Sequence, residues 1–251
     1  MIDLHVHLLP GVDDGPGSLE DAVRMCRLAA EDGCPTLVAT PHQRHDRWWN
    51  GEPGELERLR ARLQDALGGE PRVLLGAEIR VGEGLLEALD EGRAGGVVPL
   101  AGSRYLLLEL SRVVPDPDPA GLVHELTVAG WHPILAHVEE IRWLAGDLEQ
   151  IRELVARGAT LQVTGSNLLG HRGGSVQGRA RRLLDEGLVH FLASDGHHPD
   201  TRPPGLAPAW TAVARHWGEE VAELLTEVNP RAVIEDRELP PIEALDEASA
   251  N

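Results

Sequence analysis

Six short apolar runs, largely free of polar alternation, together with an extended segment at the amino terminus, limit most narrowly what this 251-residue chain can fold into. The segment is Ile2 to Val6; the runs are Thr36 to Ala39, Arg72 to Ala77, Tyr105 to Leu108, Pro133 to Ala136, Thr160 to Thr164 and Phe191 to Ser194. Runs of this kind read as parallel strands covered on both faces, and parallel neighbours need a crossover, usually a helix. Helical stretches do lie between them. In the first, Ser18 with Asp21 resembles a capping box, Leu19, Ala22, Val23, Cys26, Ala29 and Ala30 form one apolar stripe, and Gly33 stops it. Similar stripes recur at Leu56, Leu59, Leu63 and Leu67 and at Ile151, Leu154 and Val155. The expected class is α/β, with seven strands closed into a (β/α)7 TIM-like barrel whose chemistry collects at the carboxyl ends of the strands.

Those ends carry side chains able to bind metal. His5 and His7 alternate on one strand, so both imidazoles point the same way. Two neutral imidazoles side by side suit a metal. The later runs lead to His42, Glu78, Glu109, His137, Ser166 with Asn167, and Asp195-Gly196-His197. In a closed barrel these groups converge on one point. Without ions there, His5, His7, Asp195 and His197 would be buried polar groups in need of partners.

The length suits one domain, expected over residues 1–241, and the acidic, aperiodic residues 242–251 read as a disordered tail. A strand beginning at residue 2 leaves no room for a signal peptide, and no apolar run approaches a bilayer span, so a cytoplasmic location is expected. The net charge of -18 opposes binding to nucleic acid or an anionic membrane, which basic side chains hold. It does not oppose a phosphorylated substrate, because bound divalent cations reverse the local field. Cys26 and Cys34 read as buried apolar fillers, and neither is followed six residues later by arginine, which argues against a thiolate phosphatase loop. There is no Walker A loop, nucleophile elbow or dinucleotide fingerprint.

In order, His5-x-His7, Asp13-Asp14-Gly15, Thr40-Pro41-His42, Gly76-Ala77-Glu78, Glu109, His137 and Ser194-Asp195-x-His197 resemble the motifs of the polymerase and histidinol phosphatase (PHP) superfamily. Met1 to His7 with Val12-Asp13-Asp14-Gly15-Pro16 resembles more closely its bacterial manganese-dependent tyrosine phosphatases of capsule and exopolysaccharide operons, and the resemblance runs through Asn229-Pro230-Arg231. It implies a distorted seven-stranded barrel with up to three ions at its mouth, manganese before iron or zinc. It implies His5, His7, Asp14, His42, Glu78, Glu109, His137, Asp195 and His197 as ligands. Asp14 also reads as a turn or cap residue beside Asp13. A carboxylate such as Glu78 could bridge two ions, and a water acidified between them would attack phosphorus in line. A tyrosine phenolate, with a conjugate-acid pKa of about 10, leaves without a strong general acid. The resemblance also gives Arg202 the task of holding phosphate and places Asp14 among the catalytic groups.

One position departs from that family. Where its members carry His-x-Glu-Arg, this chain reads His137-Val138-Glu139-Glu140, a reversal of charge. A Glu140 pointing into the pocket would weaken phosphate binding and leave Arg44, Arg142 or Arg172 to compensate; Glu140→Arg would then improve phosphotyrosine hydrolysis. In the loop Gln43 to Pro53, Trp48 and Trp49 either receive a phosphotyrosine ring or pack the loop down. His45, His171 and His198 read as solvent-facing or supporting groups, and His124, His132, His190 and His216 as structural.

The expected function is that of a metal-dependent phosphomonoesterase, first of all a protein-tyrosine phosphatase acting on a bacterial tyrosine kinase of capsule or exopolysaccharide synthesis. A small-molecule phosphatase of the histidinol phosphate kind and a non-catalytic, metal-binding regulatory barrel are the alternatives. The oligomeric state stays open.

Overall fold

The computed structural model describes residues 1–90 and 96–240, and the tail expected over 242–251 lies outside the described residues. Nine strand segments occur among them: β1 (Ile2–Val6), β2 (Thr36–Ala39), β3 (His42–Gln43), β4 (Arg72–Leu75), β5 (Glu78–Arg80), β6 (Tyr105–Glu109), β7 (His132–Leu135), β8 (Thr160–Thr164) and β9 (Phe191–Ala193). One sheet has the order β1-β2-β4 and the other β3-β5-β6-β7-β8-β9, with every pairing parallel. Helices Leu19–Glu31, Pro53–Leu67, Pro119–Val128, Leu148–Ala156 and Gly174–Asp185 supply crossovers, as parallel pairing demands.

The sequence reading gives seven strands, whereas the described residues form nine segments in two sheets, with divisions at two of the expected runs. Pro41 has no N–H to donate, and β2 and β3 part at Thr40-Pro41. Gly76 sits where a Cβ would come within 2.7 Å of Leu100 and 3.0 Å of Val38, and β4 and β5 part there. The chain stays tied across both breaks: Gly76 N–H donates to the Ala39 carbonyl at 2.8 Å and Glu78 N–H to the Pro41 carbonyl at 3.1 Å. The curled sheet brings β9 back beside β1, where Asp195 N–H donates to the His5 carbonyl at 2.8 Å and His7 N–H to the Gly196 carbonyl at 2.9 Å.

Burial on both faces is visible strand by strand. On β6, Leu106 and Leu108 join the larger core, whereas Tyr105 and Leu107 join a second core with Ile134, Phe191 and Val233. Glu109, next in that alternation, reaches the site instead. At about 25 cal/mol per Å² of apolar surface removed from water, this two-sided burial is the main stabilising term. The first helix has its expected cap: Ser18 Oγ accepts from Asp21 N–H at 3.1 Å and donates to the Asp21 carboxylate at 2.8 Å. Among the described residues no helix is long and apolar enough to cross a membrane.

Candidate metal centre

The first strand delivers His5 and His7 to one face, with their Nε2 atoms 3.4 Å apart. Two like lone pairs meet so closely only if something orients the rings. His7 Nδ1 lies 2.7 Å from Asp13 Oδ2, His5 Nδ1 3.0 Å from Gln162 Oε1, and His197 Nδ1 2.9 Å from the Asp195 carbonyl. Gln162 Oε1 also accepts from His137 N–H at 3.0 Å, which fixes that atom as the amide oxygen. Each partner is an acceptor, so each Nδ1 carries the proton and each Nε2 lone pair turns inward. Imidazoles that ligate metals are held in this way.

Three groups of donor atoms lie within 4.8 Å of one another: those of His7, Asp14, His42 and His197, those of His5, His7 and Asp195, and those of His42, Glu78 and Glu109. His137 adjoins them through Glu78, its Nε2 lying 2.6 Å from Glu78 Oε1. All nine residues named from the sequence are therefore neighbours in space. Asp14 is the one exposed member, with Oδ1 3.3 Å from His197 Nε2 and 3.4 Å from His42 Nε2. The turn is made by its neighbour, since Asp13 Oδ1 accepts from Gly15 N–H at 2.9 Å.

The donor set fits divalent cations. His42 Nδ1 and Glu109 Oε2 are buried and 3.9 Å apart; Glu78 Oε2 lies 3.0 Å from the first and Arg80 Nη1 3.4 Å from the second, but neither atom has a partner in hydrogen-bond geometry. An unpaired buried polar atom costs about 1–3 kcal/mol, and a cation shared by lone-pair donors removes that cost. Two of the strand-end residues also hold left-handed backbone, His137 at φ 35° and Asp195 at φ 53°. For a non-glycine residue this costs on the order of 1–3 kcal/mol, and such strain gathers at functional sites. Close approach adds to the constraint. A Cβ on Gly196 would lie 2.7 Å from Pro204 N, and one on Gly15 would lie 3.0 Å from His7 Cβ.

The same groups bind protons when no cation holds them. Burial alone would raise Glu78, but the surrounding imidazoles, His5 first, hold its carboxyl well below the usual range. Burial would lower His7, yet the carboxylates of Asp13 and Glu78 lift it well above an ordinary imidazole. Burial would lower His137 too, and its bond to Glu78 instead brings it up to about 9. Protons and metal ions thus compete for one set of lone pairs. The cysteines take no part: both are buried, and burial pushes the Cys26 thiol up to about 12, which leaves it inert.

Arg202 lies beside these groups, with Nη2 donating to Asp195 Oδ2 and Nη1 3.3 Å from His197 Nε2. Of the arginines considered as compensation, Arg172 reaches Glu140 at 3.2 Å, whereas Arg44 turns to the Glu83 carbonyl and the Trp49 ring. The structure brings in three residues that the sequence reading did not weigh. These are Asp13, Gln162 and Arg112, whose Nη2 lies 3.4 Å from His137 Nε2. For Gln162 a signal existed: a buried amide within a strand asks for a partner. Trp48 stacks on His42 with ring centroids 5.2 Å apart, while Trp49 is 63% exposed. His171 and His198 are exposed, His190 is buried away from these donor groups, and His132 stacks on Tyr105 at 4.7 Å.

Fold and site together define a parallel α/β protein with a histidine- and carboxylate-lined candidate centre for several cations at the carboxyl ends of its strands. Residues 1–235 match the family model described as capsular polysaccharide synthesis, CpsB/CapC, and the chain belongs to that family. It is 32% identical over 210 residues to a putative tyrosine-protein phosphatase CapC of Staphylococcus aureus, covering 81% of this chain and 79% of that one. It is 31% identical over 230 residues to the tyrosine-protein phosphatase YwqE of Bacillus subtilis, covering 90% and 89%. A solved structure from work on Bacillus subtilis YwqE and Streptococcus pneumoniae CpsB, described as unique metal-dependent tyrosine phosphatases, superposes with a TM-score of 0.89 at 29% identity over 96% of both chains.

Proposed function

We propose that this chain is a metal-dependent protein-tyrosine phosphatase whose substrate is a phosphotyrosine protein of capsule or exopolysaccharide synthesis, in particular a bacterial tyrosine kinase. The observation that carries the reading is the convergence of nine imidazole and carboxylate side chains, with Arg202 against them, around the carboxyl ends of parallel strands. In this reading His5, His7, Asp14, His42, Glu78, Glu109, His137, Asp195 and His197 hold up to three ions. Mixed nitrogen and oxygen donors favour manganese, iron or zinc over calcium, and manganese comes first. The reading takes residues 1–241 as one domain in the cytoplasm. It takes the two sheets as one distorted (β/α)7 barrel, β2 with β3 and β4 with β5 each being one broken strand.

Bound divalent cations would supply Lewis acidity, acidifying a water for in-line attack and neutralising charge on the phosphoryl oxygens. The chain's own residues do the rest. Asp13, Gln162 and the Asp195 carbonyl keep the Nδ1 protons of His7, His5 and His197, so the Nε2 atoms stay available. Arg202, beside Asp195 and His197, binds non-bridging phosphoryl oxygens. Asp14, open to solvent, works at the rim where substrate enters. A cleft of about 430 Å³ adjoins Arg202, with Leu169 and Pro204 as apolar wall and His171 and Arg172 as polar rim, and suits the peptide around a phosphotyrosine. Exposed Trp49 offers a second surface for it.

The test pairs metal content by mass spectrometry with phosphate release from a phosphotyrosine peptide, with and without manganese. The expected result is up to about three equivalents of metal, one for each donor group, and manganese-dependent release. His5→Ala and Asp195→Ala should lose both. Hydrolysis of histidinol phosphate but not of the peptide would replace the protein substrate with a small molecule. Metal without release from either would indicate a silent barrel, and no bound metal under any condition would overturn the centre.

A further inference from the structure

Glu140 is buried at the mouth as the last residue of the 3-10 turn Val138–Glu140, which His137 caps, and cationic and amide groups surround its carboxylate. Its Oε2 lies 3.2 Å from Arg112 Nε and its Oε1 3.2 Å from Arg172 Nε, both as ion pairs outside hydrogen-bond geometry, and Oε1 accepts a hydrogen bond from Asn167 Nδ2 at 2.8 Å. A buried carboxylate with two guanidinium groups and an amide around it presents no free negative charge to a ligand. Both arginines meet it at Nε, and a guanidinium approached at that edge keeps its terminal nitrogens for another partner. For Arg112 those nitrogens point at the candidate centre. Nη2 lies 3.4 Å from His137 Nε2 and 3.9 Å from Glu109 Oε1, and the side chain remains partly exposed.

We infer that Arg112, positioned by Glu140, binds phosphoryl oxygens on the His137 and Glu109 side of the centre, while Arg202 serves the Asp195 and His197 side. The inference rests on the phosphatase reading and deepens it. Glu140 is then a positioning residue rather than a repulsive one. This reverses the expectation drawn from sequence, because Glu140→Arg would set a third guanidinium against Arg112 and Arg172 and remove their common anchor.

Calorimetric titration of the manganese-loaded protein with inorganic phosphate tests this, alongside KM and kcat for p-nitrophenyl phosphate and metal content by mass spectrometry. Arg112→Ala should weaken phosphate binding about tenfold and raise KM by a similar factor, with metal content unchanged. Arg112→Lys, which keeps the charge but not the fork, should recover only part of the loss. Glu140→Gln should raise KM less than Arg112→Ala, and should add nothing once Arg112 is already alanine. Glu140→Arg should raise KM, not lower it. Unchanged phosphate affinity and KM in Arg112→Ala, or a loss explained by missing metal, would overturn the proposal, as would a wild-type protein that binds no phosphate. Phosphate binding that depends on Arg112 in a protein that hydrolyses no phosphomonoester would instead sink the phosphatase reading and leave the arginine's role standing.

Discussion

Asp13 shows how much one acceptor decides. Its Oδ2 takes the Nδ1 proton of His7 at 2.7 Å and the backbone N–H of His42 at 3.0 Å, so one carboxylate sets the tautomer of one candidate ligand and the approach of another. Asp13→Asn keeps the shape and removes the charge. Manganese affinity should fall about 10- to 100-fold while the circular dichroism spectrum stays unchanged, as read by metal titration at limiting manganese. An unaltered affinity would mean that His7 is oriented by its packing alone. In sequence both Asp13 and Asp14 suit a turn, and the resemblance names Asp14 alone as a ligand. The part played by Asp13 depends on where its side chain points relative to His7 and His42. The nine strand-end and loop groups were legible because each belongs to a motif; Gln162 and Arg112 belong to none, and their roles arise from contacts.

At the level of strands, the pattern of apolar runs carries the parallel order, and the breaks at Thr40-Pro41 and Gly76-Ala77 were written in residues known to interrupt a ladder. What one run or another covers also has a pH consequence. His190 precedes β9 and is buried, its Nδ1 accepting from Leu161 N–H at 3.2 Å, and burial brings its pKa down to about 4. Below an ordinary histidine pKa of about 6.5 the unfolded chain takes up a proton that the folded chain refuses. Stability should therefore fall as pH drops from about 6.5 to about 4 and level off below that, by about 3 kcal/mol from this group. His190→Gln retains an acceptor for Leu161 N–H without a titrating group. Urea unfolding of the two chelated proteins should show their stability difference shifting towards the variant between pH 7 and pH 4.5. A constant difference would rule out neutral burial of His190.

Over the whole molecule, the donor groups come from β1, the following loop, β3, β5 and the ends of β6, β7 and β9, so any ion held by them ties distant parts of the curled sheet together. Ions that bind the folded chain and not the unfolded one stabilise it by about 2.7 kcal/mol at a hundredfold excess over the dissociation constant. Differential scanning calorimetry should show a Tm that rises with manganese and falls on chelation. A Tm indifferent to both would mean that the native cluster holds no ion.

The parallel α/β order, the helix with its Ser18 cap, the family and the candidate ligands were determined by sequence alone, because apolar periodicity, capping and motif spacing are local properties that a chain carries before it folds. The division into nine segments and two sheets, the contact of Asp13 with His7, and the pairing of Glu140 were decided by tertiary structure. His5 meets Gln162 across 157 positions. The charge at Glu140 acquires its meaning only from Arg112, Arg172 and Asn167. Whether a buried carboxylate repels a ligand or anchors the groups that attract one depends on the distances to its neighbours, and those are set when separate loops are brought to a common mouth.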